Sequence, residues 1–129
     1  MNDELDEMAL GNNQEPYGTR THIFNITDLD NVTYEGFYQG SSPAIDHNLY
    51  TLDQFVYESN YRSGVRVLDA IRVASSVLTE VAFFDLYPDN DNAQFSGTWS
   101  NYPYFESGTI IVTGIESGLF MLKKRQIDL

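Results

Sequence analysis

Short runs of Val, Ile, Tyr and Phe alternate with polar residues from Thr21 onward, and clusters of Gly, Pro, Asn, Asp and Ser separate them. Alternation with a period of two is typical of half-buried β-strands, and the separating residues are turn formers. Helical spacing of the apolar residues also predicts a short helical turn at 70–76. The pattern therefore predicts an all-β fold with nine strands, near residues 21–27, 33–39, 47–52, 54–61, 64–70, 78–85, 97–105, 109–115 and 118–124.

Two stretches of the chain have the same form, and they lie 54 positions apart. The first is "FVYESNYRSGVRVLDA" (55–70) and the second is "TIIVTGIESGLFMLKK" (109–124). Each places a Ser-Gly pair between two apolar runs, which predicts a β-hairpin with Gly64 or Gly118 in a left-handed or strained turn conformation.

The repetition extends beyond these hairpins. Residues 23–38 match residues 67–84 in form, because each has an apolar strand, a polar connection and a strand that ends in aromatic residues. The runs "HNLY" (47–50) and "WSNY" (99–102) open comparable segments. Four short strands that recur every ~40 to 50 residues are typical of a β-propeller blade.

The repeat predicts a β-propeller-like architecture of about two four-stranded antiparallel blades, which is a partial propeller. His47 to Asp85 forms one whole blade, the segment from Gly97 supplies three strands of the next, and Thr21 to Gln39 supplies the outer two strands of the preceding one. The blades occupy residues 21–124 in this interpretation. Residues 1–20 form an acidic segment with a loop at Gly11 to Gly18, and residues 125–129 form a tail.

Composition narrows the classes of function. Nineteen acidic and seven basic residues give a formal net charge of −12, which repels nucleic-acid phosphates and anionic membrane surfaces. The chain has no cysteine, so thiol chemistry and disulfides are excluded. It has no apolar run of ~18 residues that would insert into a membrane, and the acidic amino terminus does not have the pattern of a signal peptide.

Two segments carry a resemblance to a known family. "DHNLYTLDQFVYESNYRSGVRVLD" and "VAFFDLYPDNDNAQFSGTWSNYPYFESGTIIVTGIESGLFML" resemble the bacterial choice-of-anchor B proteins, whose repeat is called LVIVD. The resemblance covers about Asp3 to Leu122. It implies an extracellular or surface-anchored β-propeller with further blades and a carboxyl-terminal anchor, of which this chain resembles the carboxyl-terminal portion without an anchor of its own.

The run Asp46, His47, Asn48 places a carboxylate, an imidazole and an amide at the start of an innermost strand. These groups could bind a ligand or a metal ion, or act in hydrolysis, and Trp99 occupies the equivalent position in the next blade. A hydrogen-bonded structural histidine is the alternative. We expect no catalytic residue with more support than these, because the sequence has none of the common catalytic motifs.

The run "YPDNDNAQ" (87–94) alternates carboxylate and amide oxygens. Asp89 and Asp91 are candidate ligands of Ca²⁺, which prefers such donors, although the spacing is not that of an EF-hand. An inter-blade turn whose Asp and Asn side chains bond their own backbone is the alternative. We therefore predict no required cofactor and keep calcium as a candidate.

The sequence favours a non-enzymatic interaction module that binds a protein or a glycan. Tyr61 and Arg62 lie beside a hairpin turn and are expected to reach a partner, whereas packing is expected to account for most of the other aromatic residues. The terminal sheets, Thr21 to Gln39 and Thr109 to Lys123, are expected to expose apolar faces and unpaired strand edges. We expect them to self-associate or to bind missing blades.

Overall fold

The computed structural model describes residues 1–2, 4–5 and 18–125. The predicted all-β fold is confirmed, since the described residues form nine strands and no helix apart from the 3-10 turn Val73–Ser75, which lies inside the predicted helical turn. Most of the loop predicted at 11–18 and of the tail at 125–129 lies outside the described residues. The strands are β1 Arg20–Asn25, β2 Thr33–Gln39, β3 Asn48–Leu52, β4 Phe55–Ser59, β5 Val65–Asp69, β6 Thr79–Phe84, β7 Thr98–Tyr102, β8 Thr109–Gly114 and β9 Gly118–Lys123.

The strands form three antiparallel sheets in chain order. The first sheet is β1-β2, the middle sheet is β3-β4-β5-β6, and the last sheet is β7-β8-β9. This grouping agrees with the predicted two, four and three strands, although only the middle sheet has four. Consecutive strands are neighbours in every sheet, so each sheet is a simple meander.

The strand pairing of the middle sheet recurs in the last sheet 54 residues later. Ser59 pairs with Val65 in the β4-β5 hairpin, and Thr113 pairs with Leu119 in the β8-β9 hairpin. Gly64 has φ 84° and Gly118 has φ 80°, which confirms the predicted left-handed turn glycines. The same hairpin geometry is therefore built twice.

A second correspondence links the first sheet to the outer half of the middle sheet. The β1-β2 ladder has a bulge between Ile23 and Phe24, and the β5-β6 ladder has one between Val67 and Leu68. The residue pairs on either side of the two bulges also correspond, so β1 and β2 pair in the same way as β5 and β6. A bulge bends its strand and strengthens the local twist, so both pairs have the same shape.

The main apolar core lies between the middle and last sheets. Tyr57, Val65 and Val67 of the middle sheet pack against Ile110 and Val112 of the last sheet, with partly buried residues at the margin. The opposite face of the middle sheet meets the first sheet. The buried side chains of that second interface include Ile23, Val56, Glu58 and Leu68. Within the described residues, β4 and β5 of the middle sheet are thus largely buried on both faces, whereas β6 is largely exposed and each terminal sheet meets the middle sheet with one face.

Candidate functional site

His47 lies in a cluster of aromatic and acidic side chains. Its Nδ1 is 2.9 Å from Glu4 Oε1, and the Tyr61 hydroxyl donates a hydrogen bond to the same oxygen at 2.7 Å. The imidazole packs 4.5 Å from the Trp99 ring and 4.9 Å from the Tyr61 ring. The structure therefore brings together three of the predicted site residues, and it adds Glu4, which no sequence motif indicated.

The protonation of Tyr61 limits what this cluster can do. Burial, together with the hydrogen bond to Glu4 and its charge, raises the pKa of Tyr61 above its usual range. The hydroxyl consequently stays protonated near neutral pH and acts as a hydrogen-bond donor. Tyr61 is buried in this cluster whereas Trp99 is 49% exposed, and the contact with Glu4 orients the His47 imidazole.

Asp46 and Asn48 have different surroundings from His47. Asp46 is fully buried, and the Asn48 amide donates to the Trp99 carbonyl oxygen at 3.2 Å and to Ser100 Oγ at 3.4 Å. Asn48 thus fastens β3 of the middle sheet to β7 of the last sheet. His47 and Asn48 therefore bond to different partners, and the side chain of Asp46 is buried.

Arg62 is buried against the segment that joins the middle and last sheets. Its guanidinium donates to Ser96 Oγ and Asn90 Oδ1 at 2.6 Å each and to Gln94 Oε1 at 2.5 Å, and it lies 4.6 Å from the Tyr87 ring centre. Tyr61 and Arg62, which were expected to reach a partner, are both buried in the structure. Each side chain makes hydrogen bonds within the protein, and these replace the hydrogen bonds to solvent that burial removes.

The candidate calcium loop is organised around that arginine. The amide oxygens of Asn90 and Gln94 accept from the guanidinium, and Asp91 accepts a hydrogen bond from Ser42 at 2.9 Å. Asp89 is exposed. Within 1–2, 4–5 and 18–125, no group of three or more His, Cys, Asp or Glu side chains could hold a metal ion. The arginine therefore engages two amide oxygens of this loop, while the candidate ligands Asp89 and Asp91 lie in different surroundings.

Glu58 is a buried carboxylate between the first and middle sheets. The Thr21 hydroxyl and the Asn60 amide donate to its two oxygens, the latter at 3.2 Å. Burial raises the pKa of Glu58 above its usual range, and the two hydrogen bonds counteract only part of that shift. Because both oxygens are bonded within the fold, Glu58 holds the two sheets together and is not a free catalytic acid.

The outward face of the last sheet carries exposed apolar side chains. Tyr102, Ile111 and Met121 face one another across the three strands, and Leu119 follows on the same side. Met121 is 74% exposed and Leu119 is 60% exposed. In the 54-residue correspondence between the two hairpins, Ile111 and Leu119 are equivalent to Tyr57 and Val65, which are buried in the main core. This face therefore has the composition of an interface without a sheet upon it.

The outward face of the first sheet carries an aromatic cluster. The rings of Phe24 and Tyr34 lie 5.3 Å apart, and His22 lies 5.8 Å from Tyr34 and 6.0 Å from Phe37. The three aromatic residues are all exposed. Their register equivalents in the middle sheet include Leu68 and Phe83, which lie on the side turned toward the first sheet. Both ends of the described structure thus present apolar surface.

A further group of exposed rings lies at Tyr50 of β3 and at the carboxyl end of β7. Tyr104 lies 6.0 Å from Tyr50 and 5.3 Å from Tyr102, and Phe105 lies 5.1 Å from Tyr102. The expectation that packing accounts for most of the aromatic residues is wrong for Tyr50, Tyr102 and Tyr104, and for Trp99, because all four are exposed by more than a third. Such rings with polar tips suit recognition of a protein or a glycan.

No protein-family model, curated protein or solved structure compared with the chain matches it. Within the described residues, no helix has the length and apolar character needed to cross a membrane. Inference about function consequently depends on the sheet faces, the side-chain clusters and the sequence pattern.

Proposed function

We propose that the chain is a non-enzymatic interaction module made of propeller-type blades and belongs to a larger propeller. In this proposal it resembles the choice-of-anchor B proteins with LVIVD repeats, and it acts outside the cell or at the cell surface. The observation that carries the proposal is the pair of outward apolar faces. The face of the last sheet lies at the register positions of Tyr57 and Val65, which are buried in the main core, and the face of the first sheet includes the register position of the buried Leu68.

Sheet faces favour a protein over a glycan as the main partner. The outward face of the last sheet is apolar over three strands, and its equivalent in the middle sheet packs against another sheet. Burying Leu119 and Met121 would contribute about 3–5 kcal/mol together. A partner sheet, from missing blades or from a second copy, covers such a surface better than a sugar does. The exposed tyrosines near Tyr104 remain the candidate contact for a glycan.

The alternative function is a metal-dependent or hydrolytic site around Asp46, His47 and Asn48. It has less support because Asp46 is fully buried and Asn48 is bonded to the backbone of β7. Metal analysis of the purified protein tests this alternative directly. A stoichiometric metal ion that is lost in a His47→Ala variant would favour it over the interaction module.

Molar mass in solution tests the proposed function. We expect the chain to associate at micromolar concentration and to bind an apolar dye, and we expect the double variant Leu119→Lys, Met121→Lys to weaken association more than 100-fold. Leu29→Lys is the matched control, because Leu29 is 77% exposed but lies in the β1-β2 connection. A parent chain that is strictly monomeric and binds no dye would contradict the proposal.

A further inference from the structure

Strand β9 is an edge strand with an apolar sequence. It pairs with β8 on one side, and no strand of the described residues pairs with its other side. In the middle sheet the equivalent strand, β5, pairs on both sides, with β4 and with β6. The free edge of Gly118–Lys123 therefore offers backbone donors and acceptors at the place where the middle sheet has its fourth strand.

A groove lies between the middle sheet and Lys124 and Arg125, which follow β9. It has a volume of about 490 Å³ and is lined by Phe55, Val67, Asp69, Val81, Ala82, Lys124 and Arg125. It exists because the last sheet has three strands and leaves the face of β6 incompletely covered. Val81 is 51% exposed and Phe84 is 37% exposed, with the Phe84 ring 5.8 Å from Phe120 at the margin of the core.

The surroundings of the two turn glycines differ because the middle sheet has a fourth strand and the last sheet has three. A Cβ atom on Gly64 would lie 2.3 Å from the carbonyl oxygen of Phe84 and 2.7 Å from Asp85 Cα, at the end of β6. A Cβ atom on Gly118 would meet no described atom within 4 Å. The space that β6 occupies beside Gly64 holds no atom of the described residues beside Gly118, and an added strand would fit there.

The chain itself shows which sequence this position accepts. The outer strands β2 and β6 read "TYEGFY" and "TEVAFF", so both follow the pattern Thr-x-x-Gly/Ala-Phe-aromatic. Phe37 of β2 pairs with His22, and Phe83 of β6 pairs with Arg66. By register, the equivalent phenylalanine of an added strand would lie opposite Phe120, with its side chain toward the groove.

We propose that the β9 edge binds an extended strand of a partner protein in antiparallel orientation, with the sequence pattern Thr-Glu-x-Gly/Ala-Phe-aromatic. Charge favours the glutamate, because Lys124 and Arg125 supply two positive charges to the groove and Asp69 supplies one negative charge. The amino-terminal end of the strand lies beside Lys123, and the residue in the place of Glu80 faces the groove near Lys124 and Arg125. The inference rests on the proposed function, because it treats the three sheets as versions of one unit.

A synthetic peptide with the sequence of residues 77–86, "VLTEVAFFDL", tests the proposal on the full chain. We expect saturable binding, measured by fluorescence anisotropy of the labelled peptide. We also expect slower hydrogen exchange at the backbone amides of Gly118–Lys123 that do not bond to β8. A scrambled peptide, and one with lysine in place of the glutamate, are expected to bind at least 10-fold more weakly.

The variant Gly118→Ala separates edge binding from folding. We expect it to fold and to lose at least 10-fold in peptide affinity, because its Cβ occupies the space beside the incoming strand. Gly108→Ala is the matched control, since Gly108 has φ 71° and no described atom within 4 Å of its Cβ position, but precedes β8. Equal affinity for both variants, or equal binding of the scrambled peptide, would overturn the proposal.

Three further outcomes are informative. Edge amides that are already protected in the chain without peptide would mean that another part of the same chain occupies the edge, and the proposal would be wrong. If the peptide does not bind while the Leu119, Met121 double variant still weakens association, the edge inference fails and the proposed function stands. If that variant has no effect while the peptide binds, the proposed function fails and edge binding stands.

Discussion

Alanine at the two turn glycines is expected to have unequal effects on stability. Both glycines have φ near +80°, a conformation that costs an L-residue with a side chain about 1–2 kcal/mol. Gly118→Ala should lose about that amount, because no described atom meets the added methyl group. Gly64→Ala also forces the methyl group against the backbone of Phe84 and Asp85.

The additional cost at Gly64 follows from what the methyl group meets. Its contacts are a carbonyl oxygen at 2.3 Å and a Cα atom at 2.7 Å, and both belong to the backbone of the β6 end, which cannot rotate away as a side chain could. Overpacking of this kind costs about 1–3 kcal/mol. We therefore expect Gly64→Ala to lose about 2–5 kcal/mol in total, which exceeds the loss at Gly118 by about 1–3 kcal/mol.

Urea titration followed by tryptophan fluorescence measures the difference. The chain has one tryptophan, Trp99, whose ring packs 4.5 Å from His47 at the junction of the middle and last sheets. Unfolding separates these rings, so the emission reports the sheet that contains Gly118 and its contact with the sheet that contains Gly64. Equal losses in the two variants would refute the reasoning, because they would mean that β6 does not press against Gly64.

Three further predictions concern the buried ionic groups. Because burial raises the folded-state pKa of Glu58, the folded chain binds this proton more readily than the unfolded chain, and stability falls as pH rises from the unfolded pKa through the folded pKa. Glu58→Gln should reduce that slope and raise the urea midpoint at neutral pH, and an unchanged slope between about pH 4 and 8 would contradict this. Arg62→Lys should cost about 2–3 kcal/mol and make residues 87–96 sensitive to protease, since lysine lacks the planar fork that bonds three side chains; unchanged resistance would count against it. Millimolar calcium should leave the melting temperature unchanged, because Arg62 bonds to the side-chain oxygens of Asn90 and Gln94. A rise of several degrees would instead support a calcium site in this loop.

The strand pattern could be predicted because it depends on local sequence. Apolar alternation and turn residues determined all nine strands, with ends displaced by a few residues. The strand predicted at 97–105 ends at Tyr102, where Pro103 removes a backbone donor, and the strand predicted at 54–61 ends at Ser59. Tyr61 has φ 33°, which takes the chain out of the extended conformation before Gly64.

The side-chain clusters could not be predicted because they join segments that are distant in the sequence. Glu4 meets Tyr61 across 57 positions, and Arg62 meets Asn90 across 28. A position beside a turn is usual for an exposed arginine. The burial of Arg62 depends on three side-chain acceptors in a later loop, to which its guanidinium donates. Pairing within a sheet follows from sequence period, whereas partners between sheets depend on how the sheets are stacked.

The free edge and the outward face of the last sheet belong to one surface. In the middle sheet, Ala82 and Phe84 of β6 lie on the same side as Val67, the side that meets the last sheet. The equivalent side chains of a strand added to β9 would lie beside Leu119 and Met121, and the apolar face would widen from three strands to four. A strand bound at the β9 edge would then increase the affinity of the outward face for its partner, and a partner on that face would increase the affinity of the edge for the strand, because coupling between two binding sites is reciprocal. The charge of −12 opposes association of like copies, and the apolar area that the added strand contributes would work against this repulsion.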